Sequence, residues 1–495
     1  MATPVPTSLM EELYAQALAD PQLPRANPTT AFWQLPPHPS MSETQSATLP
    51  TITDYAIIGS GVTGCSMAKT LLDNAPSGAS FSVSVLEARK LTSGATGRNG
   101  GLLTSFVPGH YKHLSDHLGH EQAVKIARFA NRTLEKMHSL ANSSDDFREA
   151  SVVRRTMDII AFDDDAAFND EKASFKLYEE HVTEDAGKTQ ILTSEELAAK
   201  YNVKAKSGAI LFPNGAFWPY RLVTRIWAQL KEQYASRLLI DTNTPVTEIS
   251  HDPSNAAYPY VLTTPRGVIR AAKILHATNG YSGHLLPGLR GNIYPLRGTM
   301  STQKPPEAFG QHGREITWSR VGGSGFDPAT NVIELGLYYS NQNPTTGDVF
   351  IGGEKAKLNE LFISDDTVVG LPCQENITTK LPKCFTKGWE DTSSHEVRKV
   401  WSGIMGFTGD RLPLIGSLPQ SVTKRGTEGG EWIAAGFNGY GMPLCWSSGE
   451  AVAKMILGQK VDEFLPDAFL ITEERLKSAE MSSTRAINDL LSGYV

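Results

Sequence analysis

Two apolar patterns divide the chain. Tyr55-Ala56-Ile57-Ile58 and Phe81 to Leu86 are short runs rich in β-branched residues, as strands buried on both faces should be, and Val62 to about Asp73 between them is predicted as a helix. From His110 to Ser139 apolar residues recur at spacings of three and four, which predicts a long helix. Polar amphipathic helices are expected over Phe168 to about Gly187, Thr193 to Lys200 (Ser194-Glu195-Glu196 suits a helix start) and Tyr220 to about Tyr234. Thr156 to Phe162 reads as a strand with Asp163-Asp164-Asp165 as its turn, and Phe212 to Pro219 reads as a loop. Short strands are predicted over Leu238 to Ile240, Val246 to Ile249, Tyr260 to Thr264 and Val268 to Leu275. From Gly291 to Glu354 the strands lengthen and alternate, NIYPLRGTMST and then NVIELGLYYSNQNPTTGDVFIGGEK with Gly347 at a turn, so an extended antiparallel sheet is expected. Trp432 to Ala435 returns to a buried strand, followed by a helix to about Leu457. Residues 1–50 are proline-rich and read as an extended arm, with Phe32-Trp33 placed to pin it to the body.

The junction between the first strand and helix carries chemistry. Gly59-Ser60-Gly61-Val62-Thr63-Gly64 is a G-x-G-x-x-G turn, in which Gly59 permits the tight turn, Gly61 lets a pyrophosphate approach the backbone and Gly64 lets helix and sheet close together. The N–H groups at the helix start, Val62 and Thr63 among them, point their positive end at the phosphates. The second strand ends in Glu87, 23 positions beyond Gly64, where an acid binds a ribose hydroxyl. Alone the glycine pattern is weak; strand, turn, helix, strand and terminal acid in register make a dinucleotide site, and an acid there argues against a 2′-phosphate.

Length and composition narrow the class. At 495 residues two domains are expected. A net charge of −7 offers no basic footprint for nucleic acid, and no apolar run approaches a membrane span. The first twenty residues lack the pattern of a signal peptide, Gly493-Tyr494-Val495 is not a peroxisomal address, and the cytoplasm is the expected compartment. Cys65, Cys373, Cys384 and Cys445 show neither metal spacing nor a disulfide framework, and Cys65 is expected as a small buried filler. Sequons at Asn131, Asn142 and Asn376 are read as chance matches in the absence of a secretory signal. His110, His113, His117 and His120 are read as a solvated helix face rather than a metal site, and His276 as a core histidine.

The loop after Glu87, Leu91 to Gly101, is small, flexible and rich in backbone N–H groups, where a nicotinamide enzyme would go directly to its next helix. With its Gly97-Arg98-Asn99-Gly100-Gly101 it resembles the isoalloxazine-side loop of the D-amino-acid oxidase (DAO) family of FAD-dependent oxidoreductases, nearest to fungal members and to γ-glutamylputrescine, glycine and sarcosine oxidases. Trp401 to Gly416 resembles the family segment over the flavin ring, and Gly436-Phe437-Asn438-Gly439-Tyr440-Gly441-Met442-Pro443 resembles its closing loop, which aims a helix N-terminus at the pyrimidine end of the ring. The two glycine segments lie nearly 380 residues apart, and together they are the most specific signal in the chain.

The resemblance implies an α/β fold: a Rossmann-type FAD-binding domain made of residues 51–110, 205–290 and 395–460, interleaved with an α+β substrate domain of residues 111–204 and 291–394 on an antiparallel or mixed sheet, and a C-terminal helical tail at 461–495. It implies FAD contacts at Gly59, Gly61, Val62, Thr63, Gly64, Glu87, Ala88, Arg89, Ser93, Ala95, Thr96, Arg98, Asn99, Gly100, Gly101, Val246, Thr278, Asn279, Gly403, Gly436, Asn438, Gly439, Gly441 and Met442. Tyr294, Arg297, Tyr338, Tyr339 and Met405 are the side chains expected near substrate, with at most one of the two adjacent tyrosines facing the cavity. Relatives that attach FAD covalently use a cysteine where this chain has Gly403 or a histidine where it has Asn99, so a dissociable flavin is expected. Met405 stands where D-amino-acid oxidases place an arginine for the substrate carboxylate, which argues against a simple D-amino acid.

The implied activity is oxidation of a C–H bond next to an amine nitrogen, with a small-molecule amine as substrate, oxygen or another electron acceptor, and no obligatory protein partner. No catalytic base stands out, and none is required if the amine arrives deprotonated. Two alternatives from other classes stay open at this level: a non-catalytic FAD-binding scaffold or trafficking protein, and a nicotinamide-dependent dehydrogenase.

Overall fold

The structure is a computed structural model that describes residues 5–76, 80–391, 395–426 and 428–492; the C-terminal tripeptide read above lies outside the described residues. Among these, the strands form two sheets. The first follows the order Leu414–Ser417, Glu431–Ala435, Gly267–His276, Ile52–Ile58, Val83–Leu86, Leu238–Asp241, parallel from the second member onward, with the hairpin Glu248–His251 and Tyr260–Thr264 attached to Gly267–His276. Helices Val62–Asp73 and Cys445–Ile456 pack on each other and bury Val62, Cys65, Met67, Ala68, Ala451 and Val452 in the main core. Parallel strands need both faces covered, which is why their sequences read as continuous apolar runs.

The second sheet runs Glu396–Thr408, Ile293–Lys304, Val349–Lys357, Val332–Gln342, Ile316–Val321, Arg154–Phe162, Gly208–Ala216, Gln190–Leu192. It is antiparallel except where Ile316–Val321 runs parallel to Arg154–Phe162. Gly347 turns between two of these strands at φ +77.

Several expectations need correction. The loop expected over Phe212 to Pro219 is in its first part, through Ala216, the end of the strand Gly208–Ala216, which pairs with Arg154–Phe162. The neighbour on the other side, Gln190–Leu192, reaches only to Leu211, so that edge is open at Pro213 and a missing N–H is tolerated. Gly208–Ala216 and Glu396–Thr408 thus sit in the second sheet although their segments were expected in the nucleotide half. The arm is not wholly extended: Thr7–Leu18 is a helix that buries Leu9, Leu13 and Ala17, one face at a spacing of four, against Tyr294, Leu296 and the C-terminal residues Ala486, Ile487 and Leu491. The strands Ile316–Val321 and Gly325–Asp327 escaped notice among the glycines around them.

The long helix spans Val107–Ala141 and kinks at Gly119, whose φ is +79. His110, His113, His117 and His120 are exposed along it. His276 is fully buried and bonded to Glu431 (2.9 Å), which is also held by Arg425, so it is a core histidine. Cys65 is likewise fully buried. Among the described residues no helix is long and apolar enough to cross a membrane.

Candidate active site

The glycine turn is built around Ser60, a residue the motif leaves unspecified. Gly59 lies at φ +108, and a Cβ there would meet the Ala277 carbonyl oxygen at 2.6 Å; one on Gly64 would fall 2.0 Å from the Gly59 oxygen. Between them, the N–H and hydroxyl of Ser60 donate to Glu87 Oε2 (3.0 and 2.7 Å), and its carbonyl accepts from Trp227 Nε1 and Thr92 Oγ1 (both 2.9 Å). Arg89 N–H donates to the other Glu87 oxygen (3.0 Å), so the strand-end acid is held in place with acceptor capacity left over. Thr96 Oγ1 accepts from Val62 N–H (3.0 Å) and draws the loop at 93–101 onto the helix start. The remaining N–H groups of that first turn have no acceptor within the helix.

Charge in the loop centres on Asp366, which sequence reasoning missed because nothing local distinguishes it. It is fully buried, accepts two hydrogen bonds from Arg89 (3.0 and 2.8 Å) and lies 3.7 Å from Arg98. Arg98 also donates to the carbonyls of Ser93 (2.9 Å) and Ser402 (2.8 Å). Burial pushes the Arg98 guanidinium down to about 10, with Asp366 opposing and Arg89 adding to the fall. It stays cationic at neutral pH, so two buried cations share one carboxylate. Asn99 folds back on its loop, donating to the carbonyls of Ala95 and Thr96 and accepting from Gly101 N–H.

The loop meets the second sheet on a face opened by glycines. Gly403 lies opposite Gly298 and against Arg98, whose Cβ is 3.1 Å from where a Gly403 Cβ would stand. Tyr339 lies opposite Gly352 with its ring over that glycine and against Gly100. Tyr338 faces the other side, buried, donating to Glu334 (2.6 Å) and accepting from Asn376 (2.6 Å). The two adjacent tyrosines thus take opposite sides of the sheet, Tyr339 on the side that meets Gly100.

Burial raises the Tyr339 hydroxyl, with Glu354 adding to it, and among the described residues neither this hydroxyl nor that of Tyr294 has a hydrogen-bond partner. Arg297 is buried in an ion pair with Glu360 (3.0 Å), so its charge is already matched. Met405 reaches toward Gly298 and Gly439. Glu354, a second residue missed, accepts from Thr299 N–H beside Gly298, and burial pushes its carboxyl up to about 8.

The closing loop is tied to the segment expected over the ring. Asn279, at φ +45, accepts from Gly436 N–H (3.0 Å). Asn438 donates its backbone N–H to Gly406 O (2.9 Å) and accepts from Thr408 N–H (2.9 Å). Gly439 approaches Met405, and Gly441 lies against Cys445. The helix begins at Cys445, after a turn, rather than at Pro443. Thr278 is engaged with Ser282 (2.8 Å), and Val246 is buried beside the ends of the first two strands. Ala88 and Met442 are half-buried at the rims of these segments.

The residues present fit FAD. The buried Ser93 hydroxyl has no hydrogen-bond partner among the described residues, in the loop expected to meet the cofactor. The turn at Gly59–Gly64 leaves no room for a Cβ. Glu87 stands ready with spare acceptor capacity.

Comparison with known proteins agrees. The profile described as "FAD dependent oxidoreductase" (DAO) matches residues 54–455. The chain is 22% identical over 420 residues to the "Probable oxidoreductase OrdL" of Rhizobium meliloti (strain 1021), covering 83% of this chain and 84% of the relative. Its fold is similar to that of glycine oxidase from Geobacillus kaustophilus (TM-score 0.65, 19% identity, 86% of this chain and 100% of that one). L-proline dehydrogenase from P. horikoshii is also similar (TM-score 0.61, 18% identity, 85% and 98%). An acceptor site for FAD rather than a nicotinamide cofactor accounts for the loop at 93–101 and the closing loop together, and the chain belongs to the FAD-dependent oxidoreductase (DAO) family.

Proposed function

We propose that the protein oxidises a carbon–nitrogen bond of a small amine or amino-acid derivative to an imine, which water then hydrolyses, using a noncovalent FAD and passing electrons to oxygen or another acceptor. The observation that carries this reading is the meeting of three remote segments: the loop at 93–101, the glycine-opened face with Tyr339 and Met405, and the closing loop at 436–442. When bound, FAD supplies the hydride acceptor. The chain's own share is to bind, orient and shield. Glu87 and the helix start at Val62 hold the nucleotide end, and the N-terminal end of Cys445–Ile456 favours negative charge at the ring end without a charged side chain.

Tyr339 offers an unpaired hydroxyl to orient a substrate amine, and Met405 gives an apolar contact where a carboxylate clamp would need a cation. Arg297 does not supply that clamp, because Glu360 neutralises it. The solved relatives named for glycine and L-proline support a substrate with a carbon–nitrogen bond to oxidise. Gly403 and Asn99 offer no nucleophile for covalent attachment, which supports a dissociable cofactor.

The test is visible absorption before and after acid precipitation, followed by an anaerobic amine screen. Flavin moving to the supernatant, and bleaching by an amine, are expected. Colour retained in the pellet would refute the noncovalent site, and a flavin reduced by dithionite but by no amine would refute the substrate class.

A further inference from the structure

The segment Thr29 to Gln34 lies outside both sheets, yet it is packed between the flavin-side loop and the second sheet. Thr29 donates its N–H and hydroxyl to the Asp366 carbonyl (2.7 and 2.9 Å), and its oxygen accepts from Ser402 N–H (2.9 Å) and Arg98 (3.3 Å). Trp33 is 1% exposed and stacks on Phe350 at 3.8 Å and 7°. Its Nε1–H donates to Asn99 O, its own carbonyl accepts from Trp218 Nε1, and its ring fills the space beside Gly101. Gln34 donates to the carbonyls of Ser93 and Gly97 (both 3.1 Å). One short stretch thus holds Ser93, Gly97, Arg98, Asn99 and Gly101, five residues of a loop that has only a single 3-10 turn of its own.

We propose that residues 29–34 are a clasp for the cofactor: Thr29, Trp33 and Gln34 are positioning residues that keep the loop at 93–101 in its binding shape, and FAD enters or leaves when the clasp lifts. The inference rests on the noncovalent FAD site above and not on the substrate. A loop with little internal structure loses conformational freedom when it closes on a ligand, so a segment that orders it beforehand favours binding. The coupling is reciprocal: whatever holds the clasp down retains FAD, and bound FAD holds the clasp down.

The test uses the full chain. Gln34→Ala removes two hydrogen bonds from a half-buried side chain, and Trp33→Phe keeps a ring on Phe350 while removing the indole N–H from Asn99 O. Both are expected to release FAD about tenfold faster, as loss of one to two hydrogen bonds predicts. The apoprotein, which already holds these bonds, should melt somewhat lower, and the loaded protein should lose more, so that the gap between apo and loaded protein narrows. In wild type, tryptic cleavage after the exposed Arg25, followed by the fragment that begins at Ala26, should be faster without FAD than with it. Wild-type release rates in both variants, or cleavage at Arg25 indifferent to FAD, would overturn the clasp, as would apo and loaded forms destabilised equally with no change in release. Failure of every amine to bleach the flavin would leave it standing, whereas absence of any FAD uptake would remove its basis.

Discussion

Replacing Glu450 by glutamine should remove one calculable share of the protein's acid sensitivity. Glu450 lies on the helix that carries the closing loop and accepts from Arg132 (3.0 and 2.9 Å), Lys136 (2.5 Å) and Lys454 (3.0 Å). Burial by itself raises its pKa, but the three cations outweigh it and hold the carboxyl down to about 2. An unfolded glutamate titrates near ~4.3, and each unit of difference is ~1.4 kcal/mol, which gives about 3 kcal/mol. The cations are 24–36% exposed, so solvent screening trims this to about 2 kcal/mol. Between these two pKa values the unfolded chain binds more protons than the native one. The contribution is therefore complete above about pH 5 and lost as the pH falls through about 2. Glu450→Gln should unfold about 2 kcal/mol more easily at pH 7, and the gap to wild type should close as urea midpoints are measured at pH 5, 4 and 3. A gap that stays constant across that range would refute the ion-pair account.

Three further outcomes are expected. Gly64→Ala, whose Cβ would stand 2.0 Å from a backbone oxygen, should yield protein without bound flavin, checked by its absorption; a yellow preparation would contradict the turn geometry. Tyr339→Phe should lower kcat/KM on the amine that bleaches the flavin, by roughly tenfold if its hydroxyl makes one substrate hydrogen bond, while Tyr338→Phe should leave turnover intact and cost about 1–2 kcal/mol of stability from its lost bonds. Glu354 titrates the opposite way from Glu450. Because burial raises its folded pKa to about 8, the native state holds the proton longer and stability falls as pH rises from about 4 to about 8. Glu354→Gln should accordingly gain on wild type as melting is followed from pH 5 to pH 9, and a gap that does not widen would refute it.

The parts that could be read from the chain are those where a local rule has one solution. The Gly59–Gly64 turn, the helix Val62–Asp73 and Glu87 follow from sterics that act within a few residues, and Tyr338 and Tyr339 part sides by strand alternation alone. Elements decided by distant neighbours were harder. Pro213 reads as a break until one sees that its free edge has no partner strand, and Leu9, Leu13 and Ala17 look like an arm until Ala486 and Ile487 supply the surface they bury against. Asp366 and Ser60 belong to the same class: one carboxylate and one hydroxyl with no periodicity, given meaning by Arg89, Arg98 and Glu87 folding onto them.

The packing of Cys445–Ile456 on Val62–Asp73, where Ser66 Oγ donates to Trp446 O and Gly449 lies on Thr63 O, has a consequence for biosynthesis. Cys445 is made 381 residues after Gly64. At typical translation rates of ~5–20 residues per second the ribosome needs about 20–80 s to pass from one to the other. Throughout that interval the nascent nucleotide half lacks the helix that completes it, and its apolar face must be shielded by other means. The two helices can therefore close on each other only near the end of synthesis, and a chain cut short upstream of Cys445 keeps the Gly59–Gly64 turn but lacks the helix that packs on it.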